Sequence, residues 1–91
     1  MDRFDSLQLF ARIVELGSFS RAAAALNLPR ATATHAIKAL EERLGARLLE
    51  RTTRHVRPTA DGQAFYARCI RLLAELEEAE SLLAELTDRT A

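Results

Sequence analysis

Arg30, Ala31, Thr34, His35 and Lys38 recur at the spacing that lines up one face of an α-helix. Between them they offer two fixed cations, an imidazole, a hydroxyl and a methyl group. The chemistry open to such a set is recognition: hydrogen bonds to polar edges, and positive charge for an anion. Bond-breaking chemistry has no comparable support, because the sequence holds no Gly-rich phosphate loop, no nucleophile elbow and no HExxH. His35 and His55 stand twenty residues apart with no cysteine beside either. Two isolated histidines are more often polar surface groups than ligands, so no metal, cofactor or catalytic residue is expected.

The opposite face of the same stretch carries Ala33, Ala36, Ile37, Leu40 and Leu44, which is a core face. A helix that is apolar on one side and short, polar and cationic on the other is slim enough to enter a groove about 12 Å wide, the width of the DNA major groove. An ordinary amphipathic helix with a solvated polar face has the same periodicity, so neighbouring elements must decide between the two.

Those neighbours look built to position it. Ser20 to Leu26 contains four consecutive alanines, whose small side chains let another helix approach closely, and Ser18 or Ser20 can cap it. Asn27 tolerates the left-handed backbone that a tight corner needs, Leu28 plugs the corner, and Pro29 suits the first turn of the following helix. Gly45 stops that helix after Leu44. Upstream, Phe4, Leu7, Phe10, Ala11 and Val14 give Met1 to Leu16 a helical apolar stripe, with Asp2 and Asp5 at its anion-favouring end. Phe19, between the two serines, is read as a core plug.

Ninety-one residues form one domain near the lower limit of what a single core supports, so help from a partner subunit is expected. No leader or membrane-length apolar run is present, which predicts a soluble, cytoplasmic chain with no membrane partner. Net charge is zero, but the average hides a segregation. Residues 30 to 71 hold nine Lys and Arg against four acids, giving +5, while residues 72 to 91 hold one Arg against six acids, giving −5. A polyanion would dock on the middle of the chain and be repelled by its tail.

After Gly45 the short apolar runs Leu48 to Arg51 and Val56 to Pro58 predict a two-stranded hairpin. Its tip carries Thr53, Arg54 and His55, flanked by Arg51 and Arg57, a composition suited to phosphates and the narrow minor groove. A solvated basic loop, or a salt bridge from Arg51 to Glu41 or Glu50, is the alternative. Thr59 then caps a long helix, Ala60 to Leu86, roughly 40 Å in length. Phe65, Cys69, Leu72, Leu76, Ala79, Leu83 and Leu86 alternate steps of four and three along it, a heptad seam too long for the rest of the chain to cover. A second copy is the simplest cover. Arg68 and Arg71 near the start and glutamates in the second half favour an antiparallel pair. Cys69 on the seam is read as a small core hydrophobe rather than a redox sensor.

In this order the chain resembles the DNA-binding domain of LysR-type transcriptional regulators. The segments that carry the likeness are FxxIVELGSFSRAAAALNL, IKALEERLGARLLERTTR and RPTADG. The resemblance implies a mainly α fold: a winged helix-turn-helix over residues 1–58 with a short two-stranded β wing, and a long C-terminal dimerisation helix over residues 59–91. It implies a homodimer, joined through antiparallel linker helices, on a partly palindromic promoter site in double-stranded DNA. By residue, it implies base reading by Arg30, Ala31, Thr34, His35 and Lys38, minor-groove contact by Arg54 and His55, and phosphate anchoring by Ser18, Ser20, Arg21 and Thr53. Most members have Ser or Thr followed by Gln where Pro29 and Arg30 stand here, and since Gln suits adenine while Arg suits guanine, a changed base preference is expected. Ala33 replaces the usual branched residue, and Leu49 the usual Phe. The family's ligand-sensing domain is expected to be absent from this chain, leaving any small-molecule inducer to a full-length parent. The competing reading is a helical dimerisation module that binds protein; the clustered +5 segment has no purpose in such a module.

Overall fold

The computed structural model describes residues 1–52 and 55–90, with the side chains of 89 and 90 left aside. Helices α1 (Arg3–Leu16), α2 (Phe19–Ala25) and α3 (Arg30–Leu44) are followed by strands β1 (Leu49–Arg51) and β2 (Val56–Pro58) and a final helix α4 (Ala60–Thr90). The fold is thus a mainly helical winged helix-turn-helix with a long C-terminal helix. Because α4 outruns the body, the molecule extends 53 Å along one axis and only 26 and 22 Å along the others.

Each helix boundary follows from local chemistry. Asp2 caps α1 by accepting the Asp5 N–H at 2.7 Å, and Gly17 closes it in the left-handed region. Ser18, not Ser20, caps α2, accepting the Arg21 N–H at 3.1 Å, so the helix begins at Phe19. Asn27 makes the corner with φ of 57°. Pro29 sits one place earlier than expected, as the cap of α3 with extended backbone, and contributes no side-chain hydrogen bond. Gly45 ends α3 at φ of 68°, as its position required.

The core collects Leu9, Phe10 and Ile13 of α1, Phe19, Ala22 and Ala23 of α2, Ala33, Ile37 and Leu40 of α3, Leu48 and Leu49, and Cys69 of α4. Burying each of the larger side chains contributes roughly 1.5–3 kcal/mol. Leu44 departs from this pattern. Expected on the core face of α3, it is 42% exposed as the last residue of the helix before Gly45.

The strands pair antiparallel with Leu49 opposite Pro58 and Arg51 opposite Val56, and Thr52 N–H to His55 carbonyl at 2.8 Å closes the hairpin. Glu41 joins this wing to α3: its Oε2 accepts the N–H groups of Leu48 at 2.7 Å and Leu49 at 3.2 Å. Thr59 joins it to α4, donating to the Arg47 carbonyl at 2.6 Å and accepting from Gly62 N–H at 2.9 Å. Phe65 packs its ring 5.5 Å from that of Phe10, so α4 is rooted in the body before it leaves it. No helix among the described residues is long and apolar enough to cross a membrane.

Candidate nucleic-acid interface

Burial of Ala33, Ala36, Ile37 and Leu40 fixes the rotation of α3 and turns its other side outward. Arg30, Ala31, His35 and Lys38 are exposed there, Thr34 is half-buried, and all five line one shallow surface hollow. The structure therefore brings together every side chain that the helical spacing singled out.

A second hollow adjoins the first. Ser18 and Ser20 of the α2 entrance, Arg30 at the start of α3, and Arg51, Thr52 and His55 of the wing share its lining, so Arg30 belongs to both. Ser18 spends one lone pair on the Arg21 N–H, which leaves its hydroxyl proton for an outside acceptor. The His55 backbone is held by Thr52, its N–H donating to Thr52 Oγ1 at 2.9 Å, while the residue as a whole stays exposed. Arg21 is exposed one turn away. Thr53 and Arg54, expected at the wing tip, lie outside the described residues.

On the far side, Arg3 and Arg43 flank a third hollow that reaches the reading face at His35. Among the described residues the one ion pair is Arg12 with Glu15, on the side of α1 that meets α4. Among the described residues, none of Arg30, Lys38, Arg43, Arg47 or Arg51 stands in an ion pair and all are exposed, while Arg57 stands opposite Glu50 across the two strands. Positive charge gathered on one surface and left unpaired is suited to an external polyanion.

Arg51 ends β1 beside the wing tip, as its place in the sequence predicts, but the alternative pairing with Glu41 or Glu50 is absent among the described residues, and Glu41 is engaged by backbone N–H groups of the wing. Arg51 instead lays its guanidinium carbon 4.1 Å from the centroid of the Phe19 ring. Phe19 is the expected core plug at 3% exposure, and it is also a platform. No local spacing rule connects two residues on separate elements; only the tertiary fold brings the end of β1 to the start of α2.

The seam of α4 divides in two. Cys69 is wholly buried in the body and Phe65 half-buried against it, so the single chain covers the first of these fully and the second in part. Burial pushes the Cys69 thiol up to about 11. Beyond them Leu72, Leu76, Leu83 and Leu86 are 50, 41, 65 and 46% exposed, and Ala79 is exposed between them. Among the described residues that row is an apolar stripe left largely open to solvent in the single chain.

Residues 4–63 match the family model described as "Bacterial regulatory helix-turn-helix protein, lysR family". An HTH-type transcriptional repressor of Pseudomonas aeruginosa (strain UCBPP-PA14) is 43% identical over 83 residues, which is 91% of this chain and 26% of the repressor. The chain thus spans about a quarter of the length of the curated relatives it matches. Among solved structures, the BenM DBD in complex with catB site 1 DNA superposes with a TM-score of 0.89 at 34% identity, covering 96% of both chains. The CbnR DBD bound to DNA gives 0.84 at 31% identity, covering 96% of this chain and 99% of that one.

Proposed function

Because the chain belongs to the LysR family of bacterial helix-turn-helix transcription regulators, which are not enzymes, we propose that residues 1–58 recognise a specific promoter site in double-stranded DNA. In this reading α3 enters the major groove and Arg30, Ala31, Thr34, His35 and Lys38 meet base edges. The wing, with Arg54 and His55, follows the adjacent minor groove, while Ser18, Ser20, Arg21 and Thr53 hold phosphates.

Residues 59–91 join two copies. The exposed stripe from Leu72 to Leu86 meets its equivalent in an antiparallel pair, which sets Arg68 and Arg71 of one protomer beside the acidic second half of the other. Two reading helices related by a two-fold axis require a partly palindromic site with half-sites about 34 Å, or a multiple of it, apart. The protein acts in the cytoplasm, where the promoter is. Any small-molecule inducer acts on parts of a longer parent beyond these residues.

The observation that carries this reading is the coincidence of the five outward side chains of α3 with unpaired cations on both flanks. The exposed leucines of α4 favour a second reading, a dimerisation module that binds protein. Salt separates the two. Titrating the chain into labelled duplex DNA at rising ionic strength should show binding falling steeply in proportion to the phosphates neutralised, while self-association through the apolar stripe barely changes. Salt-insensitive or undetectable DNA binding with intact self-association would select the second reading.

A further inference from the structure

We propose that the hollow between the α2 entrance, the first turn of α3 and the root of the wing is a seat for a backbone phosphodiester, with Arg51 as its principal ligand and Phe19 as the residue that positions it. The proposal rests on the DNA-binding reading above, which places Ser18 and Ser20 of this hollow at phosphates, and deepens it by naming the cation that holds the anion there and the residue that positions that cation.

Four observations converge. Arg51 is exposed, yet its guanidinium is not loose in solvent, since it lies 4.1 Å from the centre of the Phe19 ring. Among the described residues no carboxylate lies within ion-pair distance of it, so its five N–H donors are not spent on a salt bridge. The hollow's lining includes Arg30 and His55 as well as Arg51, and no Asp or Glu. Arg30 also lines the reading hollow, so an anion seated here would lie directly beside whatever α3 contacts.

Stacking leaves the edge of a guanidinium free. A guanidinium carbon held over an aromatic ring leaves N–H donors at the edge of the group for an anion, and a phosphate can accept two parallel hydrogen bonds from such a fork. Phe19 is buried at 3% exposure and cannot move without disturbing the core, so the fork is presented from a fixed platform. Such pre-ordering lowers the entropy lost when a long side chain is immobilised on binding. Arg51 sits at the end of β1, so the contact would also set the angle at which the wing approaches the duplex.

The test uses the 91-residue chain and a labelled duplex of random sequence, titrated between about 50 and about 200 mM salt, where each phosphate contact contributes about 0.9 to the logarithmic slope. Arg51→Gln should lower the slope by about one contact and weaken binding to random and selected duplexes alike, while the chain stays folded with a melting temperature lowered only by the lost cation–π contact. Phe19→Leu keeps an apolar plug and every charge, so it should weaken binding without altering the slope. Added to Arg51→Gln it should cause no further loss, because both act through one contact. An unchanged slope in Arg51→Gln, or losses that simply add in the double variant, would overturn the assignment. A wild-type chain that binds with no salt dependence would instead overturn the DNA-binding reading itself.

Discussion

The Leu48 carbonyl lies so close to Gly62 that a methyl group on Gly62 would sit 2.0 Å from its oxygen. The first turn of α4 thus packs directly on the backbone leading into β1. Leu48 cannot retreat easily, since its N–H is held by Glu41 and its carbonyl accepts the Thr59 N–H at 3.0 Å. Gly62→Ala should therefore destabilise the fold by roughly 1–3 kcal/mol, as overpacking does. In a domain of this size each kcal/mol lowers the melting temperature by about 4–8 °C. Thermal unfolding followed by circular dichroism checks it, and an unchanged midpoint would mean that helix and wing slide apart freely.

Cys69 should make stability fall in alkali. Its thiol is buried in the body, and burial raises its pKa from the ordinary 9.0 to about 11. The folded chain therefore holds the proton more tightly than the unfolded one, so the contribution is complete below about pH 9 and is lost as pH rises through about 11. Tyr66 acts in the same direction: burial, the hydrogen bond it donates to Glu15 at 2.9 Å and the Glu15 charge raise its pKa, against the opposing Arg12. Urea midpoints measured from about pH 8 to about pH 10.5 should decline in the wild type and decline less in Cys69→Ala. Equal slopes would place the thiol in contact with water.

The exposed half of α4 predicts the geometry of the dimer. In a Cys69→Ser background, Ala79→Cys near the centre of the Leu72 to Leu86 stripe should form a disulfide with its own copy, because antiparallel helices meet at their midpoints. Leu72→Cys and Leu86→Cys should each fail to do so, being held apart at opposite ends. Efficient self-crosslinking at both ends would mean parallel helices. Leu83→Glu should shift sedimentation toward the monomer and leave the melting of the body nearly unchanged, since Leu83 is 65% exposed in the single chain.

Local rules made much of this fold legible. Asp2, Ser18, Asn27, Gly17, Gly45 and Thr59 act where capping and turn chemistry place them, because each satisfies backbone groups only a few residues away. The outward face of α3 was legible for the same reason: periodicity alone sets which side chains share a side. What escaped depends on contacts between distant segments. Glu41 reads as a surface acid available to Arg51, yet it binds the Leu48 and Leu49 N–H groups. Leu44 continues the apolar pattern of α3 but stands exposed at the end of the helix. Phe65 and Cys69 continue the apolar pattern of α4, but the body takes them first, since a heptad records that a face is apolar and not what covers it.

Base reading should divide the outward residues of α3 into two classes. Thr34 is half-buried, His35 is its exposed neighbour in the same hollow, and both have short side chains with few rotatable bonds, so each reaches only a narrow range of positions over a groove. Substituting either with Ala should relax discrimination at one base pair by about 1–3 kcal/mol and spare the others. Lys38 delivers charge from a long, flexible stem, so Lys38→Ala should weaken binding to all sequences about equally and reduce the salt slope by about one contact. Arg30 tests the departure from the family pattern: Arg30→Gln should move the preferred base from guanine toward adenine at one position. Selection from a random duplex pool with each variant decides the matter. A uniform loss for Thr34, His35 and Lys38 alike would leave α3 as a phosphate-binding helix without base contacts, and an unmoved preference in Arg30→Gln would assign Arg30 wholly to the backbone.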